Sequence, residues 1–286
     1  MHGVTGPNEY ENNVNNNWYT NYLASWCLQY TLEVALELQA KSSADWQVLS
    51  DKLAFNVDGA KVRWTDIAEK MHYPSLKGTS VFLQQDGFMD KEQKLASDLK
   101  PSERPINQNW SWDRILRSVY IKQADVLQGI YFFWDHFSQE EIESNYDFYE
   151  PKTLHESSLS PCVHAVIAAR LGRTEEAYGH YLRTARLDLD DFNAEVHEGL
   201  HITSMAGTWL AVVEGFGGFR VVDGVPSFDG ILPREWGELR YHIQFRGRDL
   251  EVSTTQELTT VTLKSGGALD IMVNGEKQTL KGIQGS

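Results

Sequence analysis

One carboxylate near the start of the chain is placed where it could do chemistry. Glu9 follows Gly6-Pro7 and precedes an asparagine-rich run in His2-Gly3-Val4-Thr5-Gly6-Pro7-Asn8-Glu9-Tyr10-Glu11. Gly-Pro fixes a turn, and catalytic groups often sit on loops held by a rigid scaffold. Glu9 can therefore act as a general acid at the mouth of a pocket. The decapeptide alone equally allows Glu9 and Glu11 to be solvated loop carboxylates. Two later stretches place hydroxyls and histidines where helices should begin. They are Thr153–Ser160, with Ser157, Ser158 and Ser160, and Glu198–Ser204, with His201, Thr203 and Ser204. Unpaired N–H groups and the helix dipole make such starts ready anion sites. If both faced one point they could hold an anion; ordinary capping is the simpler reading for the serines. Lys122 falls on the apolar line of an expected helix with Gln123 beside it. It either buries its stem with the amine free or points a charge into a polar cavity.

Other chemistries find less support. His155, His164, His180, His197 and His201 lack the spacing of a metal-binding helix. His197 and His201 are four apart, but Gly199 interrupts them, so no metal site is expected. Neither a Gly-x-Gly-x-x-Gly helix start nor a phosphate-loop lysine motif occurs.

The elements that must position these groups are mostly helical. Helices are expected over about 18–40, 43–55, 62–71, 112–136, 139–146, 161–171, 174–187 and 200–215, from apolar positions three and four apart. Asn17 suits the cap of the first, while Ser160 and Pro161 suit the cap and first position of another. Residues 73 to 110 read as irregular, broken by Pro74, Pro101 and Pro105. Near Phe216 the period changes to two, predicting strands over about 239–246, 250–253, 259–264 and 269–273, with Asn274-Gly275 as a hairpin turn. The expected organisation is a helical domain over residues 1–215 and a small antiparallel β domain over 216–286. The helices come in pairs, which suits an array or barrel of helical hairpins.

A net charge of −14 disfavours a nucleic-acid surface or an anionic membrane surface. With no signal peptide and no apolar run of bilayer length, a cytoplasmic protein is expected. Cys27 and Cys162 lie in apolar contexts and are expected to be buried free thiols.

Four of these stretches, in this order, carry a resemblance: the Gly-Pro-Asn-Glu-Tyr loop, Lys122-Gln123-Ala124-Asp125-Val126, Ser157-Ser158-Leu159-Ser160-Pro161 and Gly199-Leu200-His201-Ile202-Thr203-Ser204-Met205-Ala206-Gly207. Together they resemble the inverting disaccharide phosphorylases of glycoside hydrolase family 65, across nearly the whole chain. The run from Asn12 to Tyr22 and the Glu198–Thr203 stretch are most similar to the members acting on maltose. The resemblance implies the second part of an (α/α)6 barrel followed by the β domain. It also implies a chain that begins inside the barrel, as the C-terminal piece of a longer enzyme. By the same resemblance Glu9 is the general acid, Lys122 and Gln123 bind sugar hydroxyls, and Ser157, Ser158 and His201 contact phosphate. The partners implied are a disaccharide and inorganic phosphate as co-substrate, with no cofactor or metal, and a homodimer in the full-length enzyme. An inverting hydrolase would need a second carboxylate to activate water. Phosphate is already a nucleophile, so an anion cradle can replace that group. The alternatives are a trehalose or kojibiose phosphorylase, a hydrolase on the same scaffold, or an inactive truncated fragment.

Overall fold

The computed structural model describes residues 1–282; the last four positions of the expected β domain lie outside the described residues. Helix α1 (Trp18–Lys41) starts where Asn17 accepts the Thr20 N–H at 2.9 Å, as its sequence predicts. Its buried Trp18 stacks between Tyr22 and Phe82, with ring centroids 5.0 and 4.8 Å away. Helices α2 (Ser43–Leu53) and α3 (Val57–Glu69) pack beside it. α3 begins five residues earlier than its apolar pattern suggests, because Asn56 caps the Gly59 N–H at 2.9 Å. The irregular stretch that follows contains single turns, isolated bridges such as Ser75 with Phe82, and the short helix α4 (Ile106–Asn109).

The long helix expected over 112–136 does not form. Helix α5 (Trp112–Leu116) stops, and α6 (Val126–Phe132) begins after nine intervening residues. Between them Val119, Tyr120 and Ile121 are all buried in succession, a pattern one face of a helix cannot satisfy. Ile121 instead pairs in extended form with residues 152–154: its N–H donates to Lys152 O at 3.1 Å, and Leu154 N–H donates to Ile121 O at 2.7 Å. The helical spacing of Ile115, Val119, Val126 and Ile130 is thus coincidental. Lys122 sits on a bend, not on a helical stripe.

Helix α7 (Gln139–Tyr149) opens with a capping box between Ser138 and Glu141. Helix α8 (Pro161–Arg170) is buried on all sides except at its last residue, so it forms the spine of the helical core. Ser160 does not cap it; its hydroxyl turns to His155 Nδ1 at 2.8 Å. Helix α9 (Thr174–Ala185) packs along α8. Helix α10 (Ile202–Leu210) widens into a π-helical turn over Ala211–Phe216. α10 comes close to α8 at Gly207, where a Cβ would lie 2.7 Å from Cys162 Cβ.

Seven strands follow: β1 (Phe219–Val222), β2 (Val225–Phe228), β3 (Glu238–Phe245), β4 (Arg248–Thr255), β5 (Thr259–Ser265), β6 (Leu269–Val273) and β7 (Glu276–Leu280). They form a β1-β2-β6-β7 sheet and a β3-β4-β5 sheet. The pairings are antiparallel except β2 with β6, which is parallel. Phe228, Leu250, Val252 and Ile271 fill the space between the sheets, and Val213 from the π-helical turn joins them. Strands β1, β2 and β7 lack a clear period-two apolar signal; β7 has four exposed residues of five. Asn274-Gly275 makes the expected tight turn, both residues with positive φ. Cys162 is buried as expected, but Cys27 is exposed on the outer face of α1. Among the described residues no helix is long and apolar enough to cross a membrane.

Candidate active site

The loop carrying Glu9 is pinned on both sides of that residue. The Asn8 N–H donates to Asp125 Oδ2 at 3.1 Å. The Asn8 Oδ1 accepts the Tyr10 N–H at 3.1 Å and the Lys122 N–H at 3.0 Å. The Tyr10 hydroxyl donates to Glu156 Oε2 at 2.6 Å, tying this loop to the Thr153–Ser160 stretch. Asn17 Nδ2 donates to Asp125 Oδ1 at 3.0 Å, while the same side chain caps α1. Gly6 threads between these anchors: a Cβ there would lie 2.4 Å from Asn17 Nδ2 and 2.5 Å from Asp125 Oδ2. Only a residue without a side chain lets the loop take this path.

The electrostatics of the anchors follow from burial. Asp125 is buried without an ion-pair partner among the described residues, and this desolvation, with a smaller push from the Glu11 charge, drives its carboxyl up to about 7 although the Asn8 and Asn17 donors oppose the rise. Burial also raises Glu11, more than its ion pair with Lys91 lowers it. Burial and the Glu156 carboxylate raise the Tyr10 hydroxyl, which stays a proton donor.

The Glu9 side chain itself faces outward, 54% exposed, and pairs with Lys122 Nζ. It lines a cleft of about 470 Å³ together with Gln123, Tyr131, Phe132, Leu159 and Thr203. Gln123 is buried, with no partner for its Oε1 among the described residues. Across the cleft the two hydroxyl-rich helix starts meet: the Ser158 and Thr203 hydroxyls are 2.9 Å apart. Ser157 lies one residue away, its Oγ accepting the Leu159 N–H at 3.3 Å. His201 stands at the cap position of α10, its Nδ1 2.6 Å from Asp188 Oδ1 and its N–H donating to Asp188 Oδ2 at 2.9 Å. The structure therefore places Glu9 and Gln123 in the lining of the cleft, with Lys122 outside it and paired to Glu9, and Ser158 behind the Thr203 wall. Ser157 and His201 are beside that wall and not in the lining.

Asn8, Tyr10, Asp125, Glu156 and Asp188 position this site, and none is singled out by the sequence. Asp125 meets Asn8 across 117 residues of chain, and no local spacing signals that pairing. The histidines also differ from their sequence reading. Among the described residues no single helix carries a metal-binding pair, yet His155, His164 and His180 converge with Glu150 because four separate segments bring them in. Burial, with His164 and His180 nearby, pushes His155 down to about 3. Glu150 is held well below the usual carboxylate range: burial acts to raise it, but His164 and hydrogen bonds from all three imidazoles outweigh that.

Comparison with known proteins identifies the family of the chain. The glycosyl hydrolase family 65 central catalytic domain matches residues 1–210, and the family 65 C-terminal domain matches residues 219–280. Maltose phosphorylase of Bacillus subtilis (strain 168) is 48% identical over 282 residues, covering 99% of this chain and 36% of that protein. Alpha,alpha-trehalose phosphorylase of Thermoanaerobacter brockii is 37% identical, covering 97% of this chain and 36% of its own length. A solved structure from the human microbiome, assigned provisionally as a kojibiose phosphorylase, superposes with a TM-score of 0.89 at 35% identity, covering 99% of this chain and 38% of that one. The chain thus spans little more than a third of the relatives it matches. Its helical part and small β domain are those of the family's (α/α)6 barrel and C-terminal domain. The chain belongs to glycosyl hydrolase family 65.

Proposed function

We propose that this chain supplies the general acid and the phosphate cradle of an inverting phosphorylase that splits maltose with inorganic phosphate into β-glucose 1-phosphate and glucose. The observation that carries the reading is the lining of the cleft. Glu9 is its sole carboxylate among the described residues, and it shares the cleft with the Thr203 hydroxyl that holds Ser158. An inverting hydrolase places a second carboxylate across the sugar to activate water. Hydroxyls at helix starts suit an anion instead.

In this mechanism Glu9 gives its proton to the glycosidic oxygen as the bond to the anomeric carbon breaks. A phosphate oxygen attacks that carbon from the opposite face, so the configuration inverts and the electron pair of the broken bond stays with the leaving glucose. Ser157, Ser158 and His201 hold the phosphate, with backbone N–H groups of α8 and α10. Asp188 fixes the His201 ring by its Nδ1 contact. Gln123 and Lys122 bind sugar hydroxyls, Lys122 leaving Glu9 to do so, and the Tyr131 and Phe132 rings offer apolar faces to the sugar. The 48% identity to a maltose phosphorylase, against 37% and 35% to trehalose and kojibiose phosphorylases, favours maltose.

Ser158→Ala in the intact protein tests the cradle. Loss of a hydrogen bond to a charged group costs about 1.5–3 kcal/mol. The KM for phosphate should rise about 10- to 100-fold, with the KM for maltose little changed. An unchanged phosphate KM removes Ser158 from the cradle, and sugar release at full rate without phosphate rejects the function.

A further inference from the structure

Outside the cleft, four side chains meet below the Ser157–Ser158 loop. Glu150 comes from the turn after α7, His155 from the loop, His164 from α8 and His180 from α9. One donor atom from each lies within 4.8 Å of all the others. Glu150 Oε1 is 3.4 Å from His155 Nε2 and 3.3 Å from His180 Nε2, while Glu150 Oε2 contacts His164 Nδ1. The imidazole centroids are 4.5, 4.9 and 5.6 Å apart.

These spacings have a chemical meaning. Ligands about 2.0–2.1 Å from a tetrahedral zinc are separated by edges of roughly 3.3–3.4 Å. The separations of His155 and His180 from Glu150 Oε1 match that edge, whereas His164 contacts the other carboxylate oxygen and would have to move to join them at one ion. Three imidazoles and a carboxylate are a donor set for zinc or a similar divalent transition metal, whereas magnesium and calcium want oxygen ligands. His155 Nδ1 is 2.8 Å from Ser160 Oγ, the kind of outer hydrogen bond that orients a metal-bound imidazole through its other nitrogen.

A hydrogen-bond cluster alone satisfies Glu150 but leaves one buried ring nitrogen without a partner. His164 is fully buried, and its Nε2 has no partner among the described residues. Tyr146 Oη approaches His180 Nε2 only at 3.5 Å, the limit of a hydrogen bond, and pairs with Glu176 at 3.0 Å instead. No lysine or arginine among the described residues forms an ion pair with Glu150.

We propose that Glu150, His155, His164 and His180 bind one zinc-class divalent transition-metal ion. The ion is structural and does not touch the reacting atoms. It staples the turn after α7, α8 and α9 to the loop that carries Ser157 and Ser158. His155 and Ser160 bracket those serines, and the His155 main chain is already held in the left-handed region, its carbonyl accepting from Arg183 Nη2 at 2.7 Å.

The site stands whether or not the chain is a phosphorylase, and its test reads metal directly. The intact protein, purified without a polyhistidine tag, should carry close to one zinc per chain by elemental analysis. After chelation it should bind Co²⁺ with the intense visible absorption of a tetrahedral site. His180→Asn removes a partly exposed ligand and should lose both signals while keeping its far-UV circular dichroism. Ser160→Ala should keep the site but weaken Zn²⁺ binding roughly 10- to 100-fold. Absence of metal in the isolated protein together with no Co²⁺ spectrum overturns the proposal. So does a His180→Asn variant that retains the wild-type metal content.

Discussion

Glu9→Gln should lower kcat for phosphorolysis of maltose by about 10²- to 10⁴-fold, the usual contribution of a positioned general acid. The amide keeps the size of the side chain and cannot supply an acidic proton. The fold should survive, because Glu9 points into solvent while its neighbours Asn8 and Tyr10 hold the loop. The Lys122 partner is part-exposed, and loss of a surface ion pair costs about 0–1 kcal/mol. A glucosyl donor with a fluoride leaving group separates two explanations. Fluoride departs with little protonation, so the variant should keep most of its rate on that donor. Equal losses on both substrates would place the defect in loop geometry and take the acid role from Glu9.

The second large effect falls on a residue that never touches substrate. Asp125→Ala removes the acceptor of the Asn8 N–H and of Asn17 Nδ2, both buried. Each orphaned donor costs about 1–3 kcal/mol, so the variant should be less stable by roughly 2–6 kcal/mol. It should also lose activity, since misplacing a catalytic group by about 1 Å can cost around 10²-fold. Asp125→Asn keeps the shape and isolates the charge. The folded-state carboxyl titrates at about 7, above its unfolded value of about 3.9. A raised carboxyl favours the folded state while protonated. Its stabilising contribution is therefore complete below about pH 4 and lost as pH rises through about 7. Urea midpoints across that range should fall more steeply for wild type than for Asp125→Asn. Parallel profiles would show that Asp125 is not the titrating group.

How much of this was legible depended on whether the signal was local. α1 announces itself by Asn17 and by its three- and four-residue apolar steps, and the Asn274-Gly275 hairpin by its turn chemistry. β3 to β6 show their period directly, with apolar inward positions such as Leu250 and Val252. The segment around Lys122 misleads because Ile115, Val119, Val126 and Ile130 mimic a helix. The deciding interaction, Ile121 with residues 152–154, is distant in sequence and outweighs local preference. The candidate site divides in the same way. Glu9, Ser158 and Thr203 stand in recognisable local contexts, a Gly-Pro turn and two helix starts. Asp125 and Glu156 act through partners 117 and 146 residues distant, and the Glu150 cluster draws on four segments. Cys27 sits among apolar neighbours in sequence, yet it is exposed on α1, where Trp26 and Leu28 beside it are only partly buried.

The central claim is inverting attack by phosphate, and product stereochemistry tests it most directly. The intact protein is incubated with maltose, with and without inorganic phosphate, and the first product is followed by proton NMR before it can equilibrate. Inverting attack by phosphate should give β-glucose 1-phosphate and glucose in equal amounts, with no sugar release when phosphate is withheld. α-Glucose 1-phosphate, or glucose released at the same rate without phosphate, would contradict it.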